Sequence, residues 1–415
     1  MKVAVIGAGV VGVTTAYELA SQGHQVCVYD QRGSAAEEAS FANTGIASPS
    51  LVRPWAQPGF LGQTLRQLSQ RHTALRLNGS QWRDIKWLWQ SKKHSHVNTF
   101  KNNSERLLRL ARYSAIQRKN WVDTLHLDYE QSQGVMLLLR SEREVERLAP
   151  SLGIWRESGL EFQTLNAEQA RTIEPALRSD TALAQALYFA QDDVGNCRQF
   201  TLLLKHEAER LGVEFHFNTP IQPLSRATPT LLHTPQRSEK FDAVVVCAGL
   251  GVSELVKPLG LKLPSISLQG YTLSAAVREP IDAPKGGIVD ERYKVSISRL
   301  GQRVRLSGGN ELGRHPTHLA ASLKTLYQIL EDWFPGAART QDHVQVWKGR
   351  YPLLPDGLPI IGASGTSGVW LNLGHANHGW TLASGSARLL ADTLSGRKPE
   401  IDMQGLGLER LQNGR

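Results

Sequence analysis

The first apolar positions of this 415-residue chain form a short unbroken run, Val3-Ala4-Val5-Ile6, and a second run closes at Tyr29 after Gln25. Runs of this length and β-branched content read as strands buried on both faces. Between them Ala16, Leu19 and Ala20 recur at helical spacing before a stop at Gly23, so strand, helix and strand are predicted over Lys2 to Asp30. From Gln63 to Trp121 the periodicity is helical, with Trp82, Ile85 and Trp89 on one stripe, Leu88 beside it, and Arg83, Lys86, Lys92 and Lys93 supplying positive charge. Ser104 to Leu125 predicts a further amphipathic helix, and Gly134 to Leu139 a strand. Asn166 caps a helical stretch that ends near Glu174-Pro175; Arg198 to Gly212 reads as helix and Val213 to Phe217 as strand. Phe241 to Gly249 repeats the opening logic, a buried strand ending in small residues. From about Ile266 to Gly309 the period is two, with Gly and Pro between the runs, which predicts an antiparallel meander. A helix is expected over His318 to Trp333, then strand and glycine loop over Gly368 to Thr381, then a last helix from Leu382 to Ser395.

The turn after the first strand is Gly7-Ala8-Gly9-Val10-Val11-Gly12. In this pattern Gly7 permits a sharp turn, Gly9 lets a pyrophosphate approach the backbone, and Gly12 lets helix press on strand. The helix start then offers free N–H groups to phosphates. Asp30 follows eighteen residues after Gly12, where a carboxylate can accept hydrogen bonds from ribose hydroxyls. The element predicts a dinucleotide site and leaves FAD and NAD both open. The small, polar segment from Glu38 to Pro49 is expected to lay backbone and hydroxyl donors along the cofactor.

Composition adds constraints. The length suggests two or three domains, and 41% hydrophobic content allows each a core. Cys27, Cys197 and Cys247 are far apart, which predicts reduced thiols in a cell, with Cys27 and Cys247 as small core residues. His375 and His378 have no partner at metal-ligand spacing, so no metal site is expected. No apolar run is long enough to span a bilayer, and the first apolar run is accounted for as a strand rather than a signal peptide. The net charge of +9 is compatible with nucleic acid, an anionic membrane surface, acidic small molecules or a plain basic surface. The basic tryptophan stretch could lie in a membrane interface or pack on its own domain.

Several stretches together resemble the D-amino acid oxidase family of FAD enzymes, nearest its bacterial D-amino acid dehydrogenase branch. They are the opening GAGVVGVTTAYELASQGHQVCVYD, SFANTGIASPS at Ser40, WRDIKWLWQ at Trp82, EFHFNTPI at Glu214, LQGYTL at Leu268, DERYKVSISRL at Asp290, LPDGLPIIG at Leu354, and WLNLGHANHGWTLASGSARLLADTLSGRKPEI at Trp370. The likeness covers nearly the whole chain. It implies an α/β fold: an FAD-binding, Rossmann-like βαβ domain of the glutathione-reductase type, with an inserted substrate domain built on a mainly antiparallel sheet plus helices. Segments 1–50, 163–265 and 345–415 would form the first, and 51–162 and 266–344 the second. It implies non-covalent FAD, oxidation of a D-amino acid to an imino acid that water hydrolyses to a 2-oxo acid, and electrons passed to a quinone or another carrier. The location implied is cytoplasmic, with peripheral attachment to the inner face of the cytoplasmic membrane as one option. The subunit count stays open.

The expected cofactor contacts begin with Gly7, Gly9, Val10, Val11, Gly12, Asp30, Gln31 and Arg32, and continue through Ser40, Asn43, Thr44, Gly45 and Ile46. Pro220, Ile221, Ala248, Gly249 and Gly349 follow, and the terminal loop adds Gly374, His375, Asn377, His378, Gly379, Trp380 and Thr381. Tyr271, Tyr293 and His378 are candidate substrate-side groups, each tyrosine being equally readable as packing on a strand face. The chain departs from the family twice. Where the family has Gly-Leu-Arg-Pro, its arginine holding the substrate carboxylate, this chain has Gly349-Arg350-Tyr351-Pro352; and Asn377 and His378 add bulk to the flavin loop. A one-residue shift would bring Arg350 to the substrate, whereas a kept register turns Tyr351 inward. The expected function is therefore oxidative deamination of a D-amino acid. Oxidation of glycine, D-proline, hydroxyproline or another secondary amine is the alternative. A transfer-RNA-modifying flavoenzyme, with nucleic acid as partner, is less favoured, and an NAD-dependent dehydrogenase would have no use for the terminal loop.

Overall fold

The two apolar runs that open the chain lie side by side as parallel strands, Val3 opposite Val26, and the first also pairs with Ala243–Val246. The computed structural model describes residues 1–59, 62, 72–77, 85–313 and 318–412. Around this centre runs a six-stranded sheet in the order Ile360–Ala363, Val369–Leu373, Ala243–Val246, Lys2–Ile6, Gln25–Tyr29, Glu214–His216, antiparallel only at its first edge. One face is covered by the helices Val10–Ser21, Val97–Leu125, Cys197–Arg210 and Gly379–Leu394, which bury Val13, Leu19, Leu107, Phe200, Leu204 and Leu389 in a single core. The other face closes over Val244, Val246, Leu255, Leu371 and Leu373.

The period-two region forms the strands Ile266–Ala276, Gly287–Asp290, Val295–Leu300 and Arg303–Leu312 of a second sheet. Their pairing is antiparallel as expected, but Gly287–Asp290 also runs parallel to Ser132–Leu139, which makes the sheet mixed. Strands Gln185–Val194 and Gln345–Leu353 belong to this second sheet, so sheet membership follows different bounds from the segments read off the sequence. Alternation splits its faces. Leu273, Leu306, Ile297 and Ile288 pack under the helix Leu319–Trp333, with Leu326, Ile329 and Trp333. On the opposite face Trp347, Thr272, Ser307, Ser296 and Val289 stand in register across five strands. That row faces the ends of the first sheet's strands Lys2–Ile6, Gln25–Tyr29 and Val369–Leu373.

The basic tryptophan helix is described from Ile85 to His94; Trp82 and Arg83 lie outside the described residues. Trp87 is buried and donates its indole N–H to the Leu353 carbonyl at 3.1 Å, so the helix docks on its own protein. Lys86, Trp89, Lys92 and Lys93 face out, with the Lys92 ammonium 5.3 Å from the centre of the Trp89 ring. Among the described residues no helix is long and apolar enough to cross a membrane.

Candidate active site

A cavity of about 900 Å³ lies between the ends of the central strands and the hydroxyl-bearing row of the second sheet. Its cofactor end is built from the glycine turn. Gly7 has φ +107°, and a Cβ there would fall 2.7 Å from the Cys247 carbonyl oxygen. A Cβ on Gly12 would fall 1.8 Å from the Gly7 carbonyl oxygen, so Gly12 sets the helix against the strand and is not itself on the cavity wall. Gly9 differs: its added Cβ would meet only the Ser40 Oγ, at 3.4 Å, and otherwise open cavity. Asp30 closes the second strand with its carboxylate fixed, Oδ2 accepting the Ala8 N–H at 2.7 Å and Oδ1 the Arg32 N–H at 2.8 Å. Its remaining lone pairs can take ribose hydroxyls. Ser40 Oγ accepts the Val10 N–H at 3.0 Å and keeps its own proton to donate. A side-chain-free wall, a fixed carboxylate and a free hydroxyl donor are what the diphosphate and ribose of FAD require, so the residues present fit that cofactor.

The terminal loop forms the opposite wall. Helix Gly379–Leu394 starts on the cavity and directs the positive end of its dipole there. The Trp380 indole donates to the Gly45 carbonyl at 2.9 Å and the Trp55 indole to Asn377 Oδ1 at 2.9 Å, tying the loop to the small-residue segment. His378 donates Nε2–H to the Arg53 carbonyl at 3.2 Å, since a carbonyl can only accept. His375 Nε2 meets Ser386 Oγ at 3.0 Å, and because the Ser386 proton goes to the Ala383 carbonyl, the histidine supplies the hydrogen. Burial pushes His375 down to about 3 and His378 down to about 4, so both are neutral at ordinary pH. The helix end is thus the loop's positive pole.

Three charged groups meet in the wall beside the hydroxyl row. Arg53 Nη2 lies 2.9 Å from Glu291 Oε2, and the Lys294 ammonium is hydrogen-bonded to Glu291 Oε1. Burial would raise the Glu291 carboxyl, but the two cations, Arg53 first, hold it down to about 2. Burial lowers Lys294 against the pull of Glu291. All three line the cavity.

Every residue named above for the cofactor lies on the cavity wall except Gly12. Strand Gln345–Leu353 pairs regularly, Arg350 opposite Gln269 and Tyr351 opposite Leu268. Tyr351 is half-buried, its hydroxyl donating to Asn310 Oδ1 at 3.2 Å and its phenol pushed up by burial; Arg350 is exposed at the rim. Both touch the cavity. Tyr271 and Tyr293 do not line it, which corrects their reading as substrate-facing. Tyr271 shares the helix-covered face with Leu273 and donates to Glu311 Oε2 at 2.9 Å; the Tyr293 ring packs against that same core, 5.3 Å from the Arg140 guanidinium. Thr272, Ser296, Ser307, Asn310, Trp347, Arg53, Glu291 and Lys294 were not anticipated. The Glu291/Lys294 pair, three apart in a turn after a strand, was the available signal. Among the described residues, one group of possible metal ligands, Cys27, Glu214 and His216, with ligand atoms within 4.8 Å of one another, lies off the cavity.

The family model for DAO, FAD dependent oxidoreductase, matches residues 2–393. A D-amino acid dehydrogenase of Cereibacter sphaeroides is 38% identical over 99% of this chain and 95% of its own length. One of Allorhizobium ampelinum is 36% identical over the full length of both. Among solved structures, glycine oxidase from Geobacillus kaustophilus superposes with a TM-score of 0.77 at 19% identity, covering 98% of each chain.

Proposed function

The chain belongs to the DAO family of FAD-dependent oxidoreductases, and on that premise we propose that its substrate is a D-amino acid. Oxidation at Cα gives an imino acid, which water hydrolyses to a 2-oxo acid and ammonia. FAD held there would supply the acceptor for the two electrons and hydrogen that leave Cα, and a quinone or another carrier would serve as the onward acceptor. The observation that carries this reading is the continuity of one cavity from the glycine cradle to the hydroxyl row of the second sheet. Such a space holds a dinucleotide and a small polar molecule together.

The chain's own residues then have separable tasks. Gly9, Ser40 and Asp30 seat the diphosphate and ribose. The start of helix Gly379–Leu394 offers a fixed positive pole to negative charge that grows as hydrogen leaves the substrate. Neutral His375 and His378 hold the loop shut by hydrogen bonds without adding charge. Tyr351 and Trp347 wall the substrate space from the sheet side. The D-configuration is supported by the activity for which the relatives are named. We further propose that the acceptor is met at an anionic membrane surface, to which the outward Lys86, Trp89, Lys92 and Lys93 of helix Ile85–His94 would bind.

The test is anaerobic mixing of the yellow holoenzyme with a panel of D- and L-amino acids, glycine, D-proline and hydroxyproline. Bleaching of the flavin by D-amino acids and not by their L-forms, followed by turnover with an artificial dye, is the expected result. Bleaching by glycine or secondary amines alone would replace the substrate assignment.

A further inference from the structure

The Arg53–Glu291–Lys294 cluster is unusual for its arithmetic. Two cations share one carboxylate inside a cavity wall, so one positive charge is left over. Arg53 and Glu291 have side chains only 11% and 14% exposed, while Lys294 keeps 38%, turned to the cavity it lines. Among the described residues, the other cations on this wall are Arg32, paired with Glu38 beside the ribose-binding Asp30, and the exposed Arg350. A carboxylate moved from water into such a space needs a fixed cationic partner, and a guanidinium held by a second carboxylate is preorganised for the task.

Resting on the amino acid reading above, we infer that the Arg53–Lys294 face of this cluster, and not Arg350, binds the carboxylate of the substrate. The cluster's position fits the role. The Arg53 carbonyl is hydrogen-bonded by His378 of the terminal loop, so the leftover charge sits beside the wall where hydrogen transfer would occur. Ser296, in the adjoining hydroxyl row, lies on the strand that follows Lys294 and adds a second donor class. Glu291 keeps the cations in place and cancels one of them, leaving a site for a single carboxylate. Tyr351, which occupies the inward register position, supplies no charge, and Arg350 would have to fold back from solvent.

The probe is propionate, with propionamide as its neutral counterpart, titrated into FAD-loaded enzyme and followed by the flavin difference spectrum. Arg53→Met and Lys294→Met each leave a neutral cluster, so either tests the charge without stranding Glu291; should Arg53→Met fail to fold, Lys294→Met makes the same test. The expected result is a propionate Kd raised about 30-fold or more in both variants, with propionamide binding unmoved and Arg350→Met within about threefold of wild type. Arg53→Lys, which keeps the charge and loses the fork, should recover part of the loss. With the substrate that reduces the enzyme best, KM should rise in parallel while kcat changes little. Loss of propionate binding in Arg350→Met with Arg53→Met and Lys294→Met unaffected overturns the inference. Propionate binding through Arg53 in an enzyme that no D-amino acid reduces would uphold this site and sink the substrate assignment; reduction by D-amino acids with Arg53 indifferent would do the reverse.

Discussion

Gly9 and Gly12 lie three residues apart in one turn, yet their replacement should fail in different ways. Gly12→Ala puts a methyl 1.8 Å from the Gly7 carbonyl oxygen, where ordinary contact begins near 3.4 Å, so helix Val10–Ser21 must lift by about 1.6 Å. Overpacking of that kind costs about 1 to 3 kcal/mol and reaches the apoprotein as much as the holoenzyme. Gly9 has φ −70° and ψ 177°, extended backbone that any residue adopts, and a Cβ there meets only the Ser40 hydroxyl at 3.4 Å. Gly9→Val should therefore leave apoprotein stability within about 0.5 kcal/mol of wild type. What it fills is the space for the diphosphate. FAD at a hundred times its Kd stabilises the folded chain by about 2.7 kcal/mol, and the variant should lose that increment whole. The assay is thermal unfolding with and without added FAD, beside the visible flavin absorbance of the purified protein. Wild type should gain in Tm with FAD; Gly9→Val should match wild-type apoprotein in both conditions and be colourless; Gly12→Ala should melt lower in both. A yellow Gly9→Val protein with full flavin content would refute the placement of the diphosphate, and an apoprotein weakened as much as Gly12→Ala would refute the packing argument.

Two acids, Asp192 and Glu291, should give stability opposite slopes with pH. Burial raises Asp192 to about 6 despite bonds from Ser48 and Ser50, so the folded state holds its proton more tightly than the unfolded one; stability falls as pH rises from about 4 to 6, by roughly 3 kcal/mol, and Asp192→Asn should remove that slope in denaturant titrations across this range. Glu291 is depressed to about 2, so its contribution is present above the ordinary carboxylate value and is lost as pH falls through about 2; the acid limb of the wild-type curve should flatten in Glu291→Gln. Because His375 and His378 are already neutral and Glu291 already ionised, the affinity for the ionised form of propionate should be level between about pH 5 and 7, measured by the same difference spectrum and corrected for the probe's own ionisation; a sigmoid centred near 6.5 would mean that an imidazolium holds the carboxylate. Trp89→Ser should weaken co-sedimentation with anionic vesicles while dye-linked activity persists, and equal sedimentation of variant and wild type would remove the membrane proposal.

What was legible in the sequence is what is encoded over short spans. The strand, turn, helix and strand of Lys2 to Tyr29 need only neighbours within thirty residues to declare themselves, and the capping box at Asn166 and Gln169 is local too. Strand Gln185–Val194 was missed because its second half, Gln191-Asp192-Asp193, is polar; its acids are satisfied by Ser48, Ser50 and Arg118, which no local pattern announces. Helix Glu142–Glu157 hides behind Pro150 in its interior. Period two did reveal that Tyr271 and Thr272 face opposite ways, but not which way is inward. The aromatic residue went with Leu273 to the helix-covered face, and the cavity received the small hydroxyl.

The charge cluster was illegible for a stronger reason. Arg53 and Glu291 are 238 residues apart, and the formal charge of +9 says nothing about where a single cation is left unmatched inside. Yet the chemistry proposed demands two anionic places at once, one for the substrate carboxylate and one for the charge that grows on the cofactor side. If a single pole served both, binding the first anion would weaken stabilisation of the second. The fold separates them: the loop's histidines are stripped of charge by burial, leaving the end of helix Gly379–Leu394 to one anion, while Arg53 and Lys294 come from segments bordering the second sheet and face the other. Neutral histidines between two positive poles are then a requirement of the arrangement, since a charged His378 would compete with Arg53 for the same carboxylate across one hydrogen bond.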